Sequence, residues 1–166
     1  MNNPWRQPVN AHLRKAGALA ELARRDAADL SRLTTEALLE ASLLQLAFAI
    51  RAYLNELAEN YQCAAAGSIT SPAELQQALQ AIDKQPAELN EILIADSEGW
   101  LKDIYAAHSR IGQHKPGGAA PVQQARPGLI ETRQVKAGEL DCDSLEHWLT
   151  RMKELVERHR EMMVEC

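Results

Sequence analysis

The sequence predicts an all-α protein, an up-and-down bundle of four long helices with one short bridging helix and a long Gly/Pro linker before the last helix. Three observations carry this expectation. Apolar residues recur three and four positions apart over long stretches. The apolar content is mostly leucine and alanine, with aromatics at 4% and a single phenylalanine, Phe48; both common residues favour helix, and alanine faces let helices approach closely. Prolines and capping residues stand where helices would begin.

The first helix is expected over about 9–31, following Pro8. Val9, Leu13, Ala16, Ala20, Ala23, Ala27 and Leu30 form its apolar stripe, with Arg14, Glu21, Arg25 and Arg32 opposite. The second is expected over about 35–62, capped by Thr34 or Thr35. Its stripe runs through Leu39, Leu43, Leu46, Ile50, Leu54, Leu57 and Tyr61. Its polar side, through Glu36, Glu40, Arg51, Asn55 and Glu59, is interrupted at Leu44, Ala47 and Phe48. A helix apolar most of the way round is buried on several sides, so this is the expected central helix. Its most apolar run, Ala37 to Ile50, is broken by Glu40, Ser42 and Gln45 and is short for a bilayer span.

SPAEL at 71–75 and QPAEL at 85–89 repeat one start signal, a proline at the first helical position with a glutamate in the first turn. Ser71 and Glu74 also have capping-box spacing. They predict a short helix over 72–84 and another beginning at Pro86. The stretch 86–111 reads as one bent helix or two, with a weak point in ADSEGW at 95–100. Beyond it, Trp100, Leu101, Ile104, Tyr105, His108 and Ile111 share a face. Residues 112–140 read as an irregular linker within a single domain of residues 1–166. Its core, HKPGGAAPVQQARPG at 114–128, holds three prolines and three glycines and offers no aromatic anchor or titratable cluster, so it reads as a connector and not as a working site. LIETRQV beyond it could lie as a strap along the bundle. The last helix, about 143–165, follows DCDS and turns Leu145, Trp148, Leu149, Met152, Leu155, Val156, His159 and Met163 inward.

Charge and cysteine usage narrow the function. The net charge of −5 argues against a dedicated nucleic-acid binder. The first 33 residues and the stretch 101–138 are net basic, the remainder net acidic, which favours basic pieces lying against acidic helices of the same chain. Three cysteines, Cys63, Cys142 and Cys166, are few, odd in number and widely spaced. They suit reduced thiols in a cytoplasmic protein. The N-terminus carries no apolar signal core.

The chemistry-bearing motifs are missing. His108 and His159 lie on apolar faces of different helices, but no Glu-x-x-His, His-Glu-x-x-His or paired zinc spacing accompanies them. There is no nucleophile elbow and no phosphate-binding glycine loop. Cys142 sits between Asp141 and Asp143, which disfavours a reactive thiolate. Helical ribonucleases of the HEPN type carry an arginine, four to six residues, then a histidine on a late helix. Arg151 and His159, Arg110 and His114, and Arg6 and His12 each fail that pattern in spacing or setting.

GWLKDIYAAH, the Gly/Pro linker, LIETRQV and the closing WLTRMKELVERHREMMVEC together resemble a small family of uncharacterised bacterial proteins of about this length, one labelled a domain of unknown function. The resemblance implies an all-helical bacterial protein and supplies no catalytic residues. The leading expectation is therefore a non-catalytic cytoplasmic adaptor or regulatory module. Its partner would be another protein, with a homodimer allowed and no membrane, cofactor, metal or catalytic residue. The alternative is a bundle that binds a small apolar ligand in a cavity lined by Tyr53, Tyr105, His108 and His159. A HEPN-like ribonuclease lacking its motif ranks third.

Overall fold

The structure, a computed structural model, describes residues 3–111 and 140–164. Those residues form six helices and no strand: α1 (Arg6–Arg25), α2 (Arg32–Asn60), α3 (Pro72–Gln80), α4 (Ala87–Glu98), α5 (Trp100–Arg110) and α6 (Cys142–Val164). The fold is all-helical, as expected. The linker, LIETRQV and Cys166 lie outside the described residues.

Helix α2 is the hub, packed against α1 over most of its length and also touching α3, α5 and α6. Leu43, Leu46, Ala49, Tyr53, Leu54 and Leu57 are almost wholly buried on it. The α1–α2 seam is built from small residues. Ala16, Ala20 and Ala23 of α1 are buried, and Ser42 Oγ of α2 donates to the Ala16 carbonyl at 2.8 Å. Two helices that meet through alanine and serine come close enough for side chain to reach backbone.

The ends of the helices depart from expectation for local reasons. α1 begins at Arg6, which places Pro8 in the first turn, where its missing N–H costs no hydrogen bond. It stops at Arg25, and Ala27 and Leu30 fall in the turn that follows. α2 starts earlier than expected, because Ser31 is the cap and accepts the Thr34 N–H at 3.1 Å. It ends in a Schellman turn: Cys63 N bonds Ala58 O at 2.8 Å and Gln62 N bonds Glu59 O at 2.9 Å. Gln62 there takes a φ of 55°, a conformation that favours glycine. Asn55, expected on the polar side, is buried instead. Its Oδ1 accepts from Gly67 N and Ile69 N at 2.6 and 3.1 Å, and its Nδ2 donates to Ile69 O at 2.8 Å, organising the loop after α2.

Ser71 caps α3 with Pro72 at its start, as the motif predicts. Glu74 reaches back to Thr70 N at 2.6 Å and not to the cap's own N–H. The stretch 86–111 is two helices. They part at Gly99, where a Cβ would stand 3.0 Å from the Ala95 carbonyl, so a larger residue would crowd the end of α4. Among the described residues there are thus three long helices and three shorter ones, the 86–111 stretch being two helices and not one bent rod.

By length and composition α2 could cross a bilayer, since its most apolar 18-residue window has a mean hydropathy of 1.4. Half of that window is buried against neighbouring helices.

Leu46 is fully buried at the middle of this hub. Leu46→Ala is expected to cost roughly 2–5 kcal/mol, the range for a buried leucine. Urea titration should show a lower midpoint at unchanged slope; an unmoved midpoint would place the core elsewhere.

Candidate functional site

Polar side chains converge where α1 begins and α2 and α6 end. On α2, Tyr53, Glu56 and Asn60 fall three and four apart and therefore share a face. On α6 they meet His159, Arg160 and Met163. α4 contributes Glu88 and Glu91.

Tyr53 and His159 are brought together, the hydroxyl against ring Nδ1. The other ring nitrogen, Nε2, lies 2.8 Å from Glu91 Oε2, and Arg158 pairs with the same carboxylate. A carboxylate only accepts, so Nε2 donates to Glu91, and in the neutral ring that tautomer leaves Nδ1 to accept from the Tyr53 hydroxyl. Burial pushes the ionisation of that hydroxyl well above its usual range, and Glu56 and Glu88 add to the effect. Partial burial acts to raise the Glu91 carboxyl, but hydrogen bonds from His159 and Arg158 outweigh it and hold it below the usual glutamate value.

Beside this chain lies a charged pair. Arg160 clasps Glu56 with two bonds of 2.7 Å and reaches Asn10 Oδ1 at 2.9 Å. Arg6 stands 3.6 Å from the same carboxylate. Asn3 Nδ2 donates to the Glu56 carbonyl and to Asn60 Oδ1, both at 2.8 Å. At the edge, the Tyr61 hydroxyl donates to Glu88 Oε2 at 3.2 Å.

The sequence of tyrosine, imidazole and carboxylate has the form of a proton relay, in which a nucleophile, a base and an orienting acid follow one another. Its burial argues against that use. Tyr53 is 1% exposed and His159 0%, so the would-be reacting end faces the core. What the arrangement does is join α2, α4 and α6 by directional bonds.

Tyr105 and His108 sit on α5, and no hydrogen bond or ring contact among the described residues joins either to Tyr53 or His159. The Tyr105 hydroxyl is buried with no hydrogen-bond partner among the described residues. Burial and the nearby Asp96 carboxylate raise its ionisation. His108 is half-buried. A shallow, open cleft of about 400 Å³ lies over the loop before α3, lined by Ala65, Ser68, Ile69, Glu74, Gln77 and Ala78, and none of the four predicted cavity residues lines it. Among the described residues no three His, Cys, Asp or Glu side chains are gathered as a metal would need. Cys142 is held protonated first by burial and then by Asp143, Glu146 and Asp141, against the pull of Arg24.

Glu56, Glu91 and Arg160 are the members that sequence reasoning missed. One signal was available for Glu56, a charge on the apolar side of α2, four residues before Asn60 and three after Tyr53. The family model of DUF6586 matches residues 1–166. The chain belongs to this family of unknown function. No curated protein and no solved structure matches it significantly.

Two outcomes test the energetics. A folded carboxyl held below its unfolded value stabilises the protein above about pH 4.3, the ordinary glutamate value, and the contribution fades as the pH falls through the depressed folded value. Glu91→Gln should therefore destabilise the protein at neutral pH by on the order of 0.5–1 kcal/mol, the range of a half-exposed ion pair. The gap from wild type should close in acid, read as urea midpoints from neutral pH downward; a constant gap would remove the carboxylate from the account. Arg160→Ala, which strands a buried carboxylate, should cost roughly 3–5 kcal/mol, whereas Glu56→Met with Arg160→Met should cost much less. Thermal midpoints of the two variants decide this, and equal losses would refute it.

Proposed function

We propose that this chain is a non-catalytic interaction module, an adaptor or regulator that docks another protein on the outer face of α2. The observation that carries the reading is the exposure of that face. Leu33 is 75% exposed and Phe48, the chain's single phenylalanine, 48%. Ala37 is exposed between them, and Ala41 and Leu44 are half-buried. Numbered along the helix, Leu33, Ala37, Ala41, Leu44 and Phe48 stand four, four, three and four apart, a single stripe about 22 Å long at 1.5 Å per residue. Apolar side chains scattered singly over a surface need no explanation, but a continuous stripe does.

The sealed relay supports the same reading, because the polar chemistry is spent on joining helices. In this reading the chain is one up-and-down helical domain working in the cytoplasm without a cofactor. A second reading, a bundle that takes a small apolar ligand, draws on the orphaned Tyr105 hydroxyl, which a ligand or a water could satisfy.

Affinity capture from an extract of the source organism tests the proposal. Wild-type chain is expected to retain a specific protein that Leu33→Glu and Phe48→Glu both lose while keeping the wild-type helical circular dichroism. Capture that survives both substitutions would move the docking face away from α2.

A further inference from the structure

The outer stripe of α2 is complementary to itself. We propose that a second copy of this chain docks there, with the two α2 helices antiparallel, so that the functional unit is a homodimer. The proposal rests on the interaction-module reading and names its partner.

The core positions Ala37, Ala41, Leu44 and Phe48 follow a four, three, four spacing, the a/d seam of a coiled coil. Two residues are small and two are large, and the small pair precedes the large pair. An antiparallel partner reverses that order. Phe48 of each copy then lies over Ala37 of the other, and Leu44 over Ala41. A parallel partner would set Phe48 against Phe48 and Ala37 against Ala37, wide at one end and hollow at the other. A two-fold axis gives each patch the same patch as its neighbour, which is what an isologous contact requires.

The charges follow the same reversal. Glu36 and Glu40 flank the small end of the stripe, and Arg51 closes the large end. Arg51 is exposed and has no ion pair among the described residues; its charge acts on Glu74 only through space. Antiparallel pairing brings Arg51 level with Thr34 of the second copy and within one turn of its Glu36 on the same flank, which already holds Arg32 at 2.8 Å. On the other flank the Gln45 oxygen accepts from His12 Nδ1 at 2.8 Å. His12 also supports Phe48 from α1, ring centroids 5.5 Å apart, so the large end of the stripe is held in place from within its own chain.

Sedimentation equilibrium of the full chain over a concentration series tests this. A monomer–dimer equilibrium is expected. Phe48→Glu and Ala37→Glu, both at exposed positions, should each weaken it by roughly tenfold or more, the scale of a central interface residue, with helical circular dichroism unchanged. Arg51→Glu and Glu36→Arg should each weaken the dimer, and the double variant should recover it, because only the antiparallel register brings these two positions of different copies within one turn of each other. A chain monomeric at every concentration, a dimer indifferent to Phe48→Glu, or a double charge variant that stays weak would each overturn the proposal. A monomer that captures a different protein and loses it on Phe48→Glu would overturn self-pairing and leave the interaction module standing.

Discussion

The Glu56 carboxylate is fully buried near the C-terminal end of the central helix, and much of the architecture follows from satisfying it. An ionised group out of water is tolerable only when paired and hydrogen-bonded. Arg160 supplies the pair, and a guanidinium meets a carboxylate along two parallel bonds, so it fixes orientation as well as distance. That requirement sets α6 in register against α2. With α6 placed, His159 on the neighbouring position reaches Tyr53 on one side and Glu91 on the other, and α4 is drawn in. Arg6 reaches the same carboxylate and Asn10 accepts from Arg160, which brings the start of α1 to the pair, and Asn3 ties the N-terminal residues to the backbone of α2. At the opposite end the register is echoed on the surface, where Arg24 of α1 reaches Asp143 at 2.6 Å and Glu146 at 2.7 Å. Basic α1 lying on acidic α6 is the charge complementarity that the sequence suggests.

The alanine seam has the opposite character. Ion pairs select one register, whereas alanine faces permit close approach and leave little volume to fill. Because α1 packs so near α2, one flank of α2 is covered by a single slim helix. The inner flank is covered by α3, α5 and α6. The outer flank has little cover among the described residues: His12 of α1 reaches Phe48, and Leu33 and Ala37 are exposed.

Much of the fold was legible because helix signals are local. Ser71 before Pro72, the glycine at 99 and the acidic turn before α6 each mark an end with short-range chemistry, and the structure has ends there. The errors are local too. Thr34 and Thr35 were credible caps, but Ser31 wins because its hydroxyl, three residues before Thr34, can take that N–H and extend the helix by a turn. Gln62 closes a Schellman turn where glycine would be the expected residue, so nothing in composition announces it. The candidate site was half legible. Tyr53 and His159 stood out as polar groups on apolar faces and do meet. Glu91 and Arg160 did not, because a glutamate on a short helix or an arginine on the flank of a long one reads as solvated until the third dimension turns it inward. Asn55 shows the same failure, since helical periodicity gives an angle about an axis and says nothing of the loop that folds back over that angle.

Periodicity was right about Leu44, Ala47 and Phe48 as a break in the polar side of α2, and right that α2 is buried on several sides as the central helix. It did not say which side would stay open. Among the described residues α2 has four neighbouring helices, and together they leave Phe48 and Leu33 to solvent. Burying polar groups in the relay while exposing the phenylalanine inverts the usual distribution, and the inversion has a direction. Enclosed hydrogen-bonded groups give a rigid support, and an apolar stripe on a rigid helix can meet a partner with little ordering cost. One side of α2 thus fixes the fold through buried hydrogen bonds while the other carries an exposed apolar stripe among the described residues, and it is on this division that the proposed interaction role rests.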